Sequence, residues 1–169
     1  MTRVIAAHSL YYQVGVFALV RHKDTYLVVQ PHDALLPGAV QLPGVLMSTA
    51  SGAGLAELGL RRTLLAQVGL SVGSLSLVSS FAVRLPEGDS RLSLIFGSEY
   101  VSGILNPTAE VRGADWTQPG QLRGLGAPEW LFAAIREFEA VVGAAPEEGT
   151  ERVRKPGLMG LLGRKSLPE

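Results

Sequence analysis

Residues 42–70 read LPGVLMSTASGAGLAELGLRRTLLAQVGL, a tight turn that leads into a helical pattern. Leu42-Pro43-Gly44 is turn chemistry, since proline fixes its own φ and glycine admits conformations closed to other residues. Ala53 to Val68 is predicted to be a helix, closed by Gly69 where a left-handed cap is favoured. Its start is weakly marked, because Gly52, Gly54 and Gly59 each disfavour a helix by about 1 kcal/mol relative to alanine. Packing against the rest of the domain must hold it. The only carboxylate between Asp33 and Glu87 is Glu57. At about 100° per residue, Glu57 lies roughly 120° from Thr63 and near the direction of Leu64. Gly59, Thr63, Ala66 and Gln67 share the other side, which carries no ionisable ligand.

Upstream, Val14 to Val20 is a continuous apolar run, as expected of a strand buried on both faces. The short polar Arg21 to Asp24 predicts that Thr25 to Gln30 pairs back as a hairpin. Pro31, Pro37 and Pro43 make residues 31–44 a loop edging a cleft, with a brief strand expected near Val40 to Leu42. Downstream, Leu75 to Val83 and Arg91 to Val101 flank Pro86-Glu87-Gly88-Asp89 and predict a second hairpin. A short strand is expected around Ala114 to Thr117. Pro128 to Val142 is the clearest helix, with Leu131, Ala134, Ile135, Phe138, Val141 and Val142 on one stripe.

The order of these elements, with Leu42-Pro43-Gly44, Arg62, Gly69 and Leu70, resembles the Nudix hydrolases, whose box has the form G-x5-E-x7-R-E-U-x-E-E-x-G-U with U aliphatic. Glu110 to Trp116 is similar to the acid and tryptophan that follow the last strand in that family. The resemblance covers about residues 12–142 and implies an α/β fold. The expected form is a Nudix-like α/β/α sandwich with a mixed, partly antiparallel sheet, the box helix on one face and the Pro128 helix on the other. Matching Gly69 and Leu70 to the end of the box puts Arg62 on its arginine. Its following glutamates then fall on Thr63, Ala66 and Gln67. Val45 stands for the second loop glycine, and the first glutamate has no counterpart. In that family box glutamates hold divalent ions and activate water, roles that need negative charge and a base. No metal is therefore expected at the box, and the catalytic residues are left open.

Glu99, Glu110 and Glu57 are the remaining candidate acids, each with an ordinary surface role as the competing reading. Glu57 also sits four residues before Arg61, the spacing of a helical ion pair. Arg62, freed of box glutamates, is a candidate to face a ligand phosphate. Arg21, Gln30 and His32 flank the first hairpin and, with Gln67, complete the candidate ligand-binding set. Trp116 and Trp130 are expected to pack rather than stack on a base. His8, His22 and His32 lack metal-site spacing.

The chain has 169 residues, 47% of them hydrophobic, enough for one domain, expected over residues 1–146, with 147–169 a linker and mobile C-terminal tail. Leu158, Met159, Leu161 and Leu162 lie between basic residues there, among glycines that disfavour a helix. Fifteen basic and fifteen acidic residues balance, so no global field draws nucleic acid or an anionic membrane. Without cysteine there is no disulfide framework. No apolar run reaches the roughly 18 residues of a membrane span, no secretory leader is evident, and a cytoplasmic location is expected.

These features lead to a Nudix-fold protein with a degenerate box that binds a nucleotide or other phosphorylated small molecule, with little or no metal-dependent hydrolysis. The alternative is an active pyrophosphohydrolase of nucleoside-diphosphate-linked substrates, with Mg or Mn held by carboxylates from outside the box. A homodimer, or a protein partner engaged through the tail, is the third option.

Overall fold

The computed structural model describes residues 12–48 and 52–144. In chain order its first elements are β1 (Tyr12–His22), β2 (Thr25–Pro31), β3 (Gly44–Leu46), α1 (Leu55–Val68) and β4 (Leu70–Val72). There follow β5 (Ser76–Arg84), β6 (Ser90–Gly103), β7 (Val111–Thr117), α2 (Pro119–Gly124) and α3 (Glu129–Ala144).

The apolar run of β1 makes it the central strand. One edge runs parallel to β6, from Tyr12 opposite Ser90 to Arg21 opposite Glu99. The other edge pairs with β2 only at Arg21–Tyr26 and His22–Thr25, so the first hairpin forms as expected at its turn and then splays. The chain around residues 41–47 fills the wedge. Val29 N–H donates to Gln41 O (3.0 Å), Ala18 N–H to Pro43 O (2.9 Å) and Met47 N–H to Val14 O (2.8 Å). Within it β3 pairs antiparallel with β1, Gly44 opposite Phe17. A Cβ on Gly44 would lie 2.3 Å from a Phe17 ring carbon and 2.4 Å from Val16 O, so only glycine lets the turn approach this closely. β2 continues the sheet to β7, and β5 and β6 form the second hairpin.

Alternation along β1 builds two cores. Val16, Ala18 and Val20 pack with Leu60, Leu64 and Val68 of α1. Phe17 and Leu19 pack with Leu122 of α2 and with Leu131, Phe132, Ala134, Ile135 and Phe138 of α3. The sheet is mixed and the two long helices cover opposite faces, as the sequence predicts.

Several boundaries differ from expectation. The first helix begins at Leu55 rather than Ala53, after Gly54 at φ 65°. Its end is as expected, with Gly69 at φ 73° and its N–H on Leu65 O (3.1 Å). The strand expected near Val40 to Leu42 is only a single bridge, Val29 to Gln41, because the true strand starts at Gly44. β4 and α2 were not foreseen. Among the described residues no helix is long and apolar enough to cross a membrane. The C-terminal tail, with its apolar residues between basic ones, lies outside the described residues.

Candidate functional site

Two clefts border the side of α1 that carries Thr63 and Gln67. The first, about 210 Å³, is lined by His32, Asp33, Gln41, Gly44, Gln67 and Glu110 among others. The second, about 300 Å³, is lined by Val45, Met47, Leu55, Leu58, Gly59, Arg62 and Thr63 among others. Gly44 and Val45 are consecutive, and Thr63 and Gln67 lie one helical turn apart, so β3 and α1 wall both clefts.

Gln67 ties the two walls together. Its side-chain Nε2 donates to Gly44 O at 3.1 Å. Gly44 O can only accept, which fixes the amide with nitrogen toward it. Gln67 Oε1 is then left buried without a hydrogen-bond partner in the structure. Gln41, 6% exposed, makes four bonds: Oε1 accepts from Leu35 and Leu36 N–H, and Nε2 donates to Leu36 O and Gly38 O. Its amide sets the course of the 35–41 loop.

Glu110 reaches the first cleft through the segment that caps α1. Asn106 N–H donates to Val68 O (3.0 Å), Thr108 N–H to Gln67 O (2.9 Å) and Thr108 Oγ1 to Ala66 O (2.8 Å). These bonds satisfy carbonyls that a helix end leaves unpaired, and Glu110 follows two residues later. His32 Nε2 lies 2.9 Å from Ala109 O, and since that carbonyl only accepts, Nε2 carries the proton. Nδ1 then accepts from Arg112 Nε at 3.5 Å, a long contact.

The other candidates lie elsewhere. Arg21 and Glu99 are register partners that form an ion pair with a second bond from Arg21 Nε (2.8 Å). Arg21 also stands 5.5 Å over the Phe138 ring, which places the pair on the α3 face. The hydrogen bond to Glu99 raises the Arg21 pKa. Nearby, Tyr26 O–H donates to Glu139 at 2.8 Å. Burial, and then that bond, push the Tyr26 hydroxyl above its ordinary pKa. Gln30 is exposed and borders neither cleft. Glu57 also borders neither, and its expected ion pair with Arg61 does not form. Arg61 instead donates to Val72 O and Gly73 O, both at 2.7 Å, because two adjacent carbonyls match the guanidinium fork. Glu57, Glu99 and Glu110 therefore do not converge.

Of the sequence-derived candidates, His32, Gln67 and Glu110 share the first cleft and Arg62 edges the second. Asp33, Gln41 and the Gly44 carbonyl went unforeseen. Gln41 had one signal, a polar residue between Val40 and Leu42. Trp116 packs against His22 and Tyr100 (centroids 5.4 and 5.9 Å), and Trp130 against Phe81 (5.0 Å) with its indole N–H on Pro37 O (3.3 Å). Both serve packing, as expected.

A divalent ion of the kind this fold family implies needs anionic oxygen ligands. On the helix side facing the clefts the chain presents threonine, alanine and an amide whose N–H points at Gly44 O. Among the described residues no three His, Cys, Asp or Glu side chains gather to hold an ion. These residues do not fit the group.

No model of a protein family matches the chain, and no curated protein does. Solved structures do. A Nudix hydrolase from Nitrosomonas europaea superposes with a TM-score of 0.60 at 18% identity, over 78% of this chain and 90% of that one. A UDP-X diphosphatase gives 0.62 at 12%, over 82% and 68%. The Nudix domain of Shewanella oneidensis NrtR, complexed with ADP ribose, gives 0.58 at 17%, over 75% and 88%. Given the central β1, the box helix on one face and α3 on the other, these likenesses settle the architecture: the chain has the fold of the Nudix hydrolases.

Proposed function

We propose that the protein binds a nucleotide or another phosphorylated small molecule along α1, with little or no metal-dependent hydrolysis. The observation that carries this reading is the neutral side of α1, where Gln67 hydrogen-bonds Gly44 O in place of a charged ligand. Arg62 is exposed at the edge of the second cleft and makes no hydrogen bond or ion pair among the described residues, leaving its guanidinium to meet a phosphate. His32, Asp33 and Glu110 line the first cleft, where the two carboxylates suit the N–H groups of a base or amine. The ADP ribose on the NrtR Nudix domain and the likeness to a UDP-X diphosphatase supply the ligand class to try first.

Calorimetric titration of ADP ribose, nucleoside diphosphates and UDP-sugars, with magnesium and with EDTA, tests the reading. Binding is expected to persist in EDTA and to weaken roughly tenfold or more in Arg62→Ala, the loss of one charge-assisted contact. Magnesium-dependent turnover at an ordinary enzymatic rate would overturn it.

Asp33 and Glu110, two carboxylates on one cleft, favour a second reading: a pyrophosphohydrolase with ligands from outside the box. A hydrolysis screen with magnesium and manganese separates the two, run beside a variant with glutamate at positions 63, 66 and 67. Activity only in the variant supports the binding reading. The cytoplasmic location and the homodimer or tail-mediated partner are part of the same proposal. Removing residues 151–169 without changing partner recovery would count against the tail.

A further inference from the structure

The disagreement between this cleft and a divalent ion is itself informative. Two oxygens meet at the contact between α1 and β3, Gly44 O and the buried Gln67 Oε1, and the Glu110 carboxylate lines the same cleft. Gly44 O needs a donor here, and the one that meets it among the described residues is the Gln67 amide N–H. It reaches Gly44 O across 23 residues of sequence and joins the helix to the turn that wedges β1 from β2. Gly44 is held by its pairing with Phe17 on β1, so close that an added Cβ would find no room beside Phe17 and Val16 O.

We propose that Gln67 is a neutral bridge standing where an ion would otherwise be required, so that the form of the cleft is independent of divalent cations. A carboxylate at this position would be isosteric but could not donate. It would confront Gly44 O with a second acceptor and add charge to a cleft that Asp33 and Glu110 already line, which makes the contact repulsive until a cation enters. One atom, nitrogen for oxygen, thus decides whether the cleft closes by itself or needs metal. This rests on the reading of α1 as the binding wall, but its test needs no nucleotide and stands or fails separately.

The test is thermal unfolding of the full chain and of Gln67→Glu and Gln67→Leu, in EDTA and in millimolar magnesium or manganese. The unsubstituted protein is expected to melt at the same temperature in all three. Gln67→Glu should melt roughly 3 to 5 °C lower in EDTA, about what loss of one hydrogen bond removes from a domain of this size, and recover with either ion. Gln67→Leu should fall without recovering. The idea is overturned if Gln67→Glu matches the unsubstituted protein in EDTA, or ignores both ions. Should Gln67→Glu not fold, manganese titration of the unsubstituted protein followed by electron paramagnetic resonance decides: no uptake supports the bridge, and stoichiometric uptake in the first cleft sinks it.

Discussion

The two long helices cover the same sheet from opposite sides and use their lengths differently. α3 buries Leu131, Phe132, Ala134, Ile135 and Phe138, while α1 buries only Leu60, Leu64 and Val68, one residue per turn. The sheet answers in kind. A Cβ on Gly97 would lie 2.2 Å from the Phe138 ring, so the ring packs on β6 where only glycine leaves room. On the α1 side the narrow apolar stripe leaves Arg62, Thr63 and Gln67 to border clefts. The lesson is a division of labour across the sheet: the α3 face supplies stability, and the α1 face exchanges packing for reachable polar groups.

Changes on the α3 face should therefore act on stability alone. Phe138→Ala removes a ring that is 3% exposed and packs on Gly97, with an expected loss of about 3–5 kcal/mol in denaturant unfolding. Ligand affinity of the molecules that remain folded should not change, and a parallel fall in affinity would break the comparison. Gly44→Ala comes next, at about 1–3 kcal/mol from overpacking against Phe17 and Val16. Because Gly44 also carries the Gln67 contact, this variant should lose ligand affinity as well, measured by calorimetry at a temperature where it is folded. Tyr26→Phe is the smallest, about 1 kcal/mol for the bond to Glu139 near neutral pH. Its sharper signature is in alkali. The folded hydroxyl holds its proton above the ordinary tyrosine pKa near 10. The stability this contributes is thus complete below pH 10 and is lost as pH rises beyond it, where the unfolded chain ionises first. Melting temperatures above pH 10 should fall less steeply in Tyr26→Phe than in the unsubstituted chain.

The fold was legible wherever burial on both faces wrote a long apolar run or a clean stripe, as in β1, β2, β6 and α3. β4 escaped because three residues, Leu70 to Val72, are too few to show a period. α2 escaped because Pro119-Gly120-Gln121-Leu122-Arg123-Gly124 has a single buried residue and no stripe. It is held instead by Pro119 in its first turn and by Gln118 N–H donating to Gln121 Oε1 (3.0 Å). The site was legible in part. Spacing placed Thr63, Ala66 and Gln67 on one side of a helix, but the partner of Gln67 across the cleft is a main-chain carbonyl, and no residue type announces a carbonyl. Arg21 and Glu99 stand 78 residues apart and meet only because β1 and β6 run parallel in one register. Local spacing misled at Glu57 and Arg61, where Val72 O and Gly73 O outcompeted an exposed ion pair, whose net gain is small.

The four bonds of the Gln41 amide carry one more consequence. Loops that border binding clefts usually surrender conformational freedom when a ligand arrives, which lowers affinity by about 0.5–1.5 kcal/mol for each side chain immobilised. Here the 35–41 segment is already moored from within by a side chain pointing away from solvent. A guest entering beside it finds a rigid berth, so its association should show little entropic penalty from this wall.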